Sequence, residues 1–272
     1  MTLHFAVIGD PIGHSRSPAM MMRACAALGV RAQYEAYAVA PHALEHAVRG
    51  LHALGFAGYN VTIPHKVAVC AFVDALDHSA QQAGAVNTVV VRDGRTIGYN
   101  TDGIGYVRSL LEEIGPHAFG RDVLILGAGG AARGISYAVK DRLRPKSIAI
   151  ANRTRTRAKE LARALDCATV VSWDEVAHVL PSYGLIINTT SIGMEPHEEP
   201  CALDRLRAGS IISDIVYRPT QWLAHAQSRG GLVHGGVGML VHQGAEALEM
   251  WLRAHGMPYA APIAVMREAV QA

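Results

Sequence analysis

Asp122-Val123-Leu124-Ile125-Leu126-Gly127-Ala128-Gly129-Gly130-Ala131-Ala132 is the stretch that decides the fold. Its unbroken apolar run, stopped by glycine, reads as a strand buried on both faces, and the alanine-rich continuation reads as a helix over 131–141. Between them Gly127, Gly129 and Ala132 stand at the spacing of a G-x-G-x-x-A turn. Glycine is needed where the chain reverses and where backbone must approach a pyrophosphate, and the helix start behind offers unpaired N–H groups to the anion. A glycine cluster alone is an ordinary tight turn; a strand before it and a helix after it point to a dinucleotide.

Toward the C-terminus the same texture repeats. Apolar strands are predicted over 147–151, 169–171, 185–188, 211–215 and 232–234, with a further helix over 156–165. Strands of this kind, joined by short Gly, Asn and Pro loops and helices, make a parallel sheet. The second strand ends in Asn152-Arg153-Thr154-Arg155-Thr156-Arg157. A site for NAD carries Asp or Glu there to receive the ribose 2′-hydroxyl. Guanidinium groups instead suit a 2′-phosphate, and cations at a helix N-terminus oppose the macrodipole unless an anion joins them. The expected cofactor is therefore NADP, met by Arg153 first and Arg157 second.

Toward the N-terminus, strands are predicted over 5–9, 34–39 and 59–63, the last stopped by Pro64. Helices are expected over 17–28 and from Pro41 onward, where Leu44, Val48 and Leu51 share one face. Residues 85–91 and 96–99 flank Arg92-Asp93-Gly94-Arg95 and read as a hairpin. From Met239 the chain is again helical, with Ala247, Leu248, Trp251 and Leu252 as a buried stripe that returns to the first domain. The expected class is α/β with two α/β domains: a substrate-binding and catalytic domain with a mixed sheet over 1–103, completed by 239–272, and a Rossmann-type NADP-binding domain over 104–238.

Length and composition bound the function. The 272 residues suit two domains, and half of them are hydrophobic. A net charge of +2 excludes a dedicated nucleic-acid or polybasic membrane binder, and no apolar run is long enough to span a bilayer. Residues 1–8 lack the basic flank and cleavage region of a signal peptide, so a cytoplasmic location is expected. Cys25, Cys70, Cys167 and Cys201 are widely spaced and read as reduced thiols. His42 and His46 form an i, i+4 pair without a clear third ligand, so no metal is expected.

Three polar clusters in the first domain are poor folding devices. Ser15-Arg16-Ser17-Pro18 supplies a helix cap or, equally, two hydroxyls for a carboxylate. Asn60-Val61-Thr62-Ile63-Pro64-His65-Lys66 places two polar side chains on one strand face and an amine past its end. Asn87-Thr88 and Asn100-Thr101-Asp102-Gly103 add an amide and a carboxylate at positions where turn chemistry is the plainer reading.

Together these segments resemble the shikimate dehydrogenase family along nearly the whole chain. The resemblance also rests on Gly84-Ala85-Val86-Asn87-Thr88, Gly98-Tyr99-Asn100-Thr101-Asp102-Gly103, 127–132, Asn152-Arg153-Thr154, 188–194, Asp214-Ile215-Val216-Tyr217 and Gly238-Met239-Leu240-Val241-His242-Gln243. It implies NADPH-dependent reduction of 3-dehydroshikimate to shikimate; separately, a monomer or homodimer is expected. Ser15 and Ser17 would hold the substrate carboxylate, with Asn60, Thr62, Asn87, Asp102, Tyr217 and Gln243 contacting the substrate or orienting its hydroxyls. Lys66 and Asp102 would be the catalytic pair. The implied cofactor residues are Gly127, Ala128, Gly129, Gly130, Ala131, Asn152, Arg153, Thr154, Arg157, Thr189, Val216, Gly238 and Met239. Ala19-Met20-Met21-Met22-Arg23, where many relatives carry polar residues, departs from the family pattern and leaves a dual-specificity quinate/shikimate dehydrogenase as the alternative. An NADPH-sensing regulator is the non-enzyme alternative.

Overall fold

The computed structural model describes residues 2–272, which divide into two compact units: the chain as far as Gly105 together with Val241–Ala272, and Tyr106–Leu240. In the first unit, β1 (Leu3–Gly9), β2 (Ala32–Ala38), β3 (Gly58–Val61), β4 (Ala75–Leu76), β5 (Thr88–Arg92) and β6 (Arg95–Tyr99) form one mixed sheet in the order β2-β1-β3-β5-β6-β4. Helices α1 (Ser17–Ala27), α2 (Leu44–Ala53) and α3 (His78–Ala83) join them, and α4 (Asp102–Ile114) leads out. β1 runs parallel to both β2 and β3, whereas β5 is antiparallel to β3 and β6. Leu44, Val48 and Leu51 are buried on α2, as their spacing requires.

Several boundaries differ from the sequence reading. Pro41 opens a 3-10 turn, Pro41–Ala43, and the α-helix starts only at Leu44. β3 stops at Val61: Thr62 N–H still donates to the Ile8 carbonyl, but Pro64 has no N–H and the chain turns so that His65 N–H donates to the Thr62 carbonyl. The hairpin begins at Thr88, because Asn100 Nδ2 donates to the Ala85 carbonyl and ties the preceding residues into the turn. β4, α3 and α4 are additions to the sequence reading.

In the second unit β7 (Asp122–Leu126), α5 (Gly130–Leu143), β8 (Ser147–Ala151), α6 (Arg155–Leu165), β9 (Ala168–Val171), α7 (Val176–Val179), β10 (Leu185–Asn188), β11 (Ile211–Asp214), α8 (Gln221–Ser228) and β12 (Leu232–His234) follow one another, with a helix after every strand but β10 as far as β12. The sheet is parallel throughout, in the order β12-β11-β10-β7-β8-β9. This is the doubly wound dinucleotide-binding order, and it reverses between β7 and β10, where such folds bind ligands. Alternation explains the apolar strands: Val123 and Ile125 face one hydrophobic cluster, and Leu124 and Leu126 face another. The expected class, a mixed-sheet domain and a Rossmann-type domain, is what the structure has.

The C-terminal helices are α9 (Gly236–Ala254) and α10 (Ile263–Gln271). Trp251 is fully buried in the first unit, stacked on Phe5 at 4.7 Å between centroids, and its Nε1 donates to the Val89 carbonyl at 2.8 Å. Gly58 leaves the room: a Cβ there would strike the Trp251 indole.

Candidate active site

The turn after β3 and the start of α4 bring one amine and one carboxylate together. Lys66 Nζ donates to Asp102 Oδ2 at 2.6 Å, with the lysine side chain 14% and the aspartate 4% exposed. The lysine's sequence neighbour holds the turn: His65 is buried, and its Nε2 bonds the Val39 carbonyl at 2.6 Å. His65 is therefore an anchor in the core.

Asp102 is held from a second side. Asn87 Nδ2 donates to Asp102 Oδ1 at 2.9 Å and lies 3.3 Å from Gln243 Oε1. The amide's orientation is unambiguous, because the backbone N–H of Thr101 donates to Asn87 Oδ1 at 2.8 Å and so requires oxygen there. Gly105 permits the approach of α4 to Gln243: a Cβ at residue 105 would sit 2.6 Å from the Gln243 backbone nitrogen. Asn60 joins the same network, with Nδ2 donating to the Asn87 carbonyl and to Thr88 Oγ1, both at 3.1 Å.

Of the remaining substrate-side residues, Ser15 and Ser17 are half-buried at the start of α1. Neither is the helix cap: the N-cap position is Arg16, without a side-chain bond, and Ser15 Oγ accepts the Ser17 N–H at 3.3 Å. Thr62 is half-buried just beyond β3 rather than inside it. Tyr217 lies in the second unit, half-buried on the turn after β11. The sequence reading missed Thr88 and Thr101 as members of the network, although both stand inside motifs it singled out. It also missed Tyr34, whose hydroxyl donates to Asn60 Oδ1 at 2.8 Å and which carried only the alternation of a strand.

In the second unit the glycine turn has the required geometry. Gly127 has φ +114°, and a Cβ there would collide with Thr189 Oγ1. That threonine, just past β10, donates to the Leu126 carbonyl at 2.7 Å, so the ends of β7 and β10 are tied at the reversal point of the sheet. Gly129 is the exposed N-cap of α5, has no side-chain cap and leaves open space where a Cβ would stand. Ala128 is buried, and Gly130 and Ala131 are half-buried in the first turn of the helix. At the end of β8, Asn152 Nδ2 donates to the Thr154 carbonyl at 2.9 Å, and Arg153, Thr154 and Arg157 are exposed around an α6 start that has no acidic residue in its first turn. An open glycine turn before an uncapped helix, with two exposed guanidinium groups at the next strand end, fits a dinucleotide carrying an extra phosphate.

Gly238 and Met239 are placed differently. Gly238 packs where a Cβ would strike Ser109 Oγ, and Met239 lies in the hydrophobic cluster with Tyr106 and Leu110. Val216 is buried, and its N–H donates to Asp214 Oδ1 at 3.1 Å. Asp214 also accepts from Asn188 Nδ2 and Thr220 Oγ1, each at 3.0 Å, yet burial pushes its carboxyl up to about 6. His234, between Ser109 Oγ and Ser213 Oγ at 2.8 Å each, is pushed down to about 4 by burial.

Among the described residues no group of three or more His, Cys, Asp or Glu is placed to hold a metal ion, and no helix is long and apolar enough to cross a membrane.

A doubly wound nucleotide-binding unit and a second α/β unit bearing a buried lysine–aspartate pair define the class: two-domain, dinucleotide-dependent oxidoreductases. Residues 7–89 match the family described as "Shikimate dehydrogenase substrate binding domain" and residues 109–196 match "Shikimate / quinate 5-dehydrogenase". The chain belongs to the shikimate dehydrogenase family. It is 47% identical to the NADP(+) shikimate dehydrogenase of Geobacillus kaustophilus over 253 residues, 91% of each chain. It is also similar to the crystal structure of shikimate dehydrogenase from Aquifex aeolicus, with a TM-score of 0.91 and 33% identity over 100% of this chain and 98% of that one. The Thermus thermophilus enzyme, solved in complex with NADP(H) and shikimate, matches with a TM-score of 0.88 and 33% identity over 99% and 98%.

Proposed function

We propose that this chain catalyses the reversible, NADPH-dependent reduction of 3-dehydroshikimate to shikimate, the shikimate-pathway step on the way to chorismate and the aromatic amino acids. The observation that carries the reading is the Lys66–Asp102 contact at 2.6 Å, set among amides in the unit that matches the substrate-binding family. A sensor of NADPH would have no use for such a pair.

When bound, NADPH supplies the hydride that a ketone carbon accepts. Lys66 donates a proton to the oxygen on which charge develops, and in the reverse direction its amine takes the proton back. Asp102 orients the ammonium, and Asn87 fixes the carboxylate that does so. Ser15 and Ser17 hold the substrate carboxylate, while Asn60, Thr62, Tyr217 and Gln243 orient its hydroxyls. On the cofactor side, the turn from Gly127 to Ala131 receives the pyrophosphate on backbone N–H groups. Asn152, Arg153, Thr154 and Arg157 take the adenosine side with its 2′-phosphate, and Thr189, Val216, Gly238 and Met239 complete the contact set. The same reading carries a cytoplasmic location and a monomeric or homodimeric state, to be tested by fractionation and light scattering.

The experiment is NADP+ reduction followed by absorbance with shikimate and with quinate, each repeated with NAD+. Turnover of shikimate with NADP+ far above the other three pairs is the expected result. Comparable rates with quinate make the enzyme dual-specific, and tight NADPH binding without turnover of either acid overturns the enzyme reading.

A further inference from the structure

β10 and β11 end in a matched pair of polar side chains. Asn188 and Asp214 stand opposite each other in register, each the last residue of its strand, and both are fully buried. Asn188 Nδ2 donates to Asp214 Oδ1 at 3.0 Å and to the Ile192 carbonyl at 2.9 Å. Its Oδ1 accepts the Thr190 N–H at 3.0 Å and the Thr190 hydroxyl at 2.7 Å, so one amide closes the turn after β10. Asp214 closes the turn after β11. Its Oδ1 also accepts the Val216 N–H at 3.1 Å and its Oδ2 the Thr220 hydroxyl at 3.0 Å, which ties residues 216–220 at both ends to one carboxylate. The two turns meet over this carboxylate: a Cβ on Gly193 would stand 3.6 Å from Asp214 Oδ2 and 3.4 Å from Thr220 Cγ2. At the start of α9, a Cβ on Gly236 would strike the Ile215 carbonyl oxygen.

A strand end needs nothing so costly as a buried carboxyl, since a neutral side chain closes an ordinary turn. What the Asn188–Asp214 pair secures is the position of two turns relative to each other. In a doubly wound sheet the halves of a dinucleotide lie on either side of the reversal point. The function proposed above gives the adenosine half to the ends of β7 and β8, which leaves the nicotinamide half to the ends of β10 and β11. We propose that Asp214 and Asn188 are positioning residues for the nicotinamide half of the cofactor, holding the turns that carry Thr189 and Val216 in one arrangement before the cofactor arrives. The inference rests on the function proposed above and deepens it. Asp214→Ala takes the acceptor from the Val216 N–H and from the Thr220 hydroxyl, so the turn after β11 has to be ordered at the moment of binding. Asp214→Asn keeps an oxygen for Asn188 and Val216.

The test measures Kd for NADPH and for adenosine 2′,5′-bisphosphate, which lacks the nicotinamide half, together with kcat for shikimate oxidation. In Asp214→Ala the Kd for NADPH is to rise about tenfold, while that for the bisphosphate stays within about twofold of wild type. The kcat is to fall by about 10- to 100-fold, the cost of a misplacement on the order of 1 Å. Asp214→Asn is to bring the NADPH Kd back to within about threefold of wild type, because most of the lost hydrogen bonding returns. An equal rise for both ligands, an unchanged Kd for NADPH, or no recovery in Asp214→Asn overturns the proposal. A wild type that neither binds NADPH nor turns over shikimate overturns the underlying function, and this inference with it; a functional wild type with an unaffected Asp214→Ala overturns the inference alone. A second measurement does not depend on the alanine variant folding. In protein labelled with 13C at the aspartate Cγ positions, the resonance missing from Asp214→Asn belongs to Asp214, and in wild type it is to move with NADP+ and stay put with the bisphosphate. If it responds equally to both, or to neither, Asp214 does not serve the nicotinamide half.

Discussion

Lys66 shows how much a single residue gains from its setting. In the sequence it is one lysine past a strand end; in the structure its side chain is 14% exposed and its amine faces a carboxylate that Asn87 already holds. Lys66→Ala is expected to lower kcat by about 10²- to 10⁴-fold, the range of a lost general acid, and to leave KM for NADPH within about twofold. A large rise in that KM with kcat intact would reject the role. Asp214 and His234 give the pH dependence of folding at the same scale. The carboxyl of Asp214 is raised to about 6 in the folded chain, so its buried charge is a penalty above that pH, relieved as pH falls from 6 toward 3.8. His234 has the opposite sign: lowered to about 4, it supports the fold above pH 6.5 and takes that support away as pH falls toward 4. Asp214→Asn removes only the first effect. Its stability relative to wild type should therefore fall between pH 7 and pH 4, by an amount on the order of 3 kcal/mol, in urea unfolding series at each pH. A stability difference that does not vary with pH would mean that the carboxyl titrates normally.

At the scale of elements, the glycine turn and the start of α6 were legible because their residues are bound to local backbone needs. Gly127 requires its positive φ, and the β8 end lacks the acid that a 2′-hydroxyl would use. The expectation at α6 is correspondingly sharp. Arg153→Ala should raise KM for NADPH by about 10- to 100-fold and leave NADH nearly unaffected, since only the former offers a phosphate to the guanidinium. Equal losses with both cofactors would place Arg153 elsewhere. Other elements were not legible, for physical reasons. α4 opens at Asp102 inside Asn100-Thr101-Asp102-Gly103, and residues with low helix propensity made a helix start look like a turn. What decides the matter is tertiary: Gly105 is there because α9 passes close at Gln243, a neighbour 138 positions away in sequence (243 − 105). Tyr34 was hidden for the same reason, since its partner Asn60 comes from another strand.

At the scale of the molecule, the division into two units falls after Gly105 and after Leu240, inside α4 and inside α9. The expected boundaries, after 103 and after 238, stand at the end of the turn-like Asn100-Thr101-Asp102-Gly103 motif and at the start of the C-terminal helical stretch, because a continuous helix carries no signal of the unit to which each turn belongs. That placement has an energetic consequence. Each unit has its own apolar cluster and its own sheet, which by themselves would let the two unfold separately. Separate unfolding would, however, cut both helices, after the fourth residue of α4 and after the fifth of α9, and strip the turns at the cut of the packing that supplies most helical stability in water. The expectation is one cooperative transition, detected alike by far-ultraviolet circular dichroism and by tryptophan fluorescence, with Trp251 in the first unit and Trp222 in the second reporting together. NADP+ at about one hundred times its Kd then adds about 2.7 kcal/mol to the stability of the whole chain, moving that single transition upward without splitting it. If NADP+ instead separates a stabilised transition from an unshifted one, the two helices do not transmit stability, and each unit must be treated as a folding domain of its own.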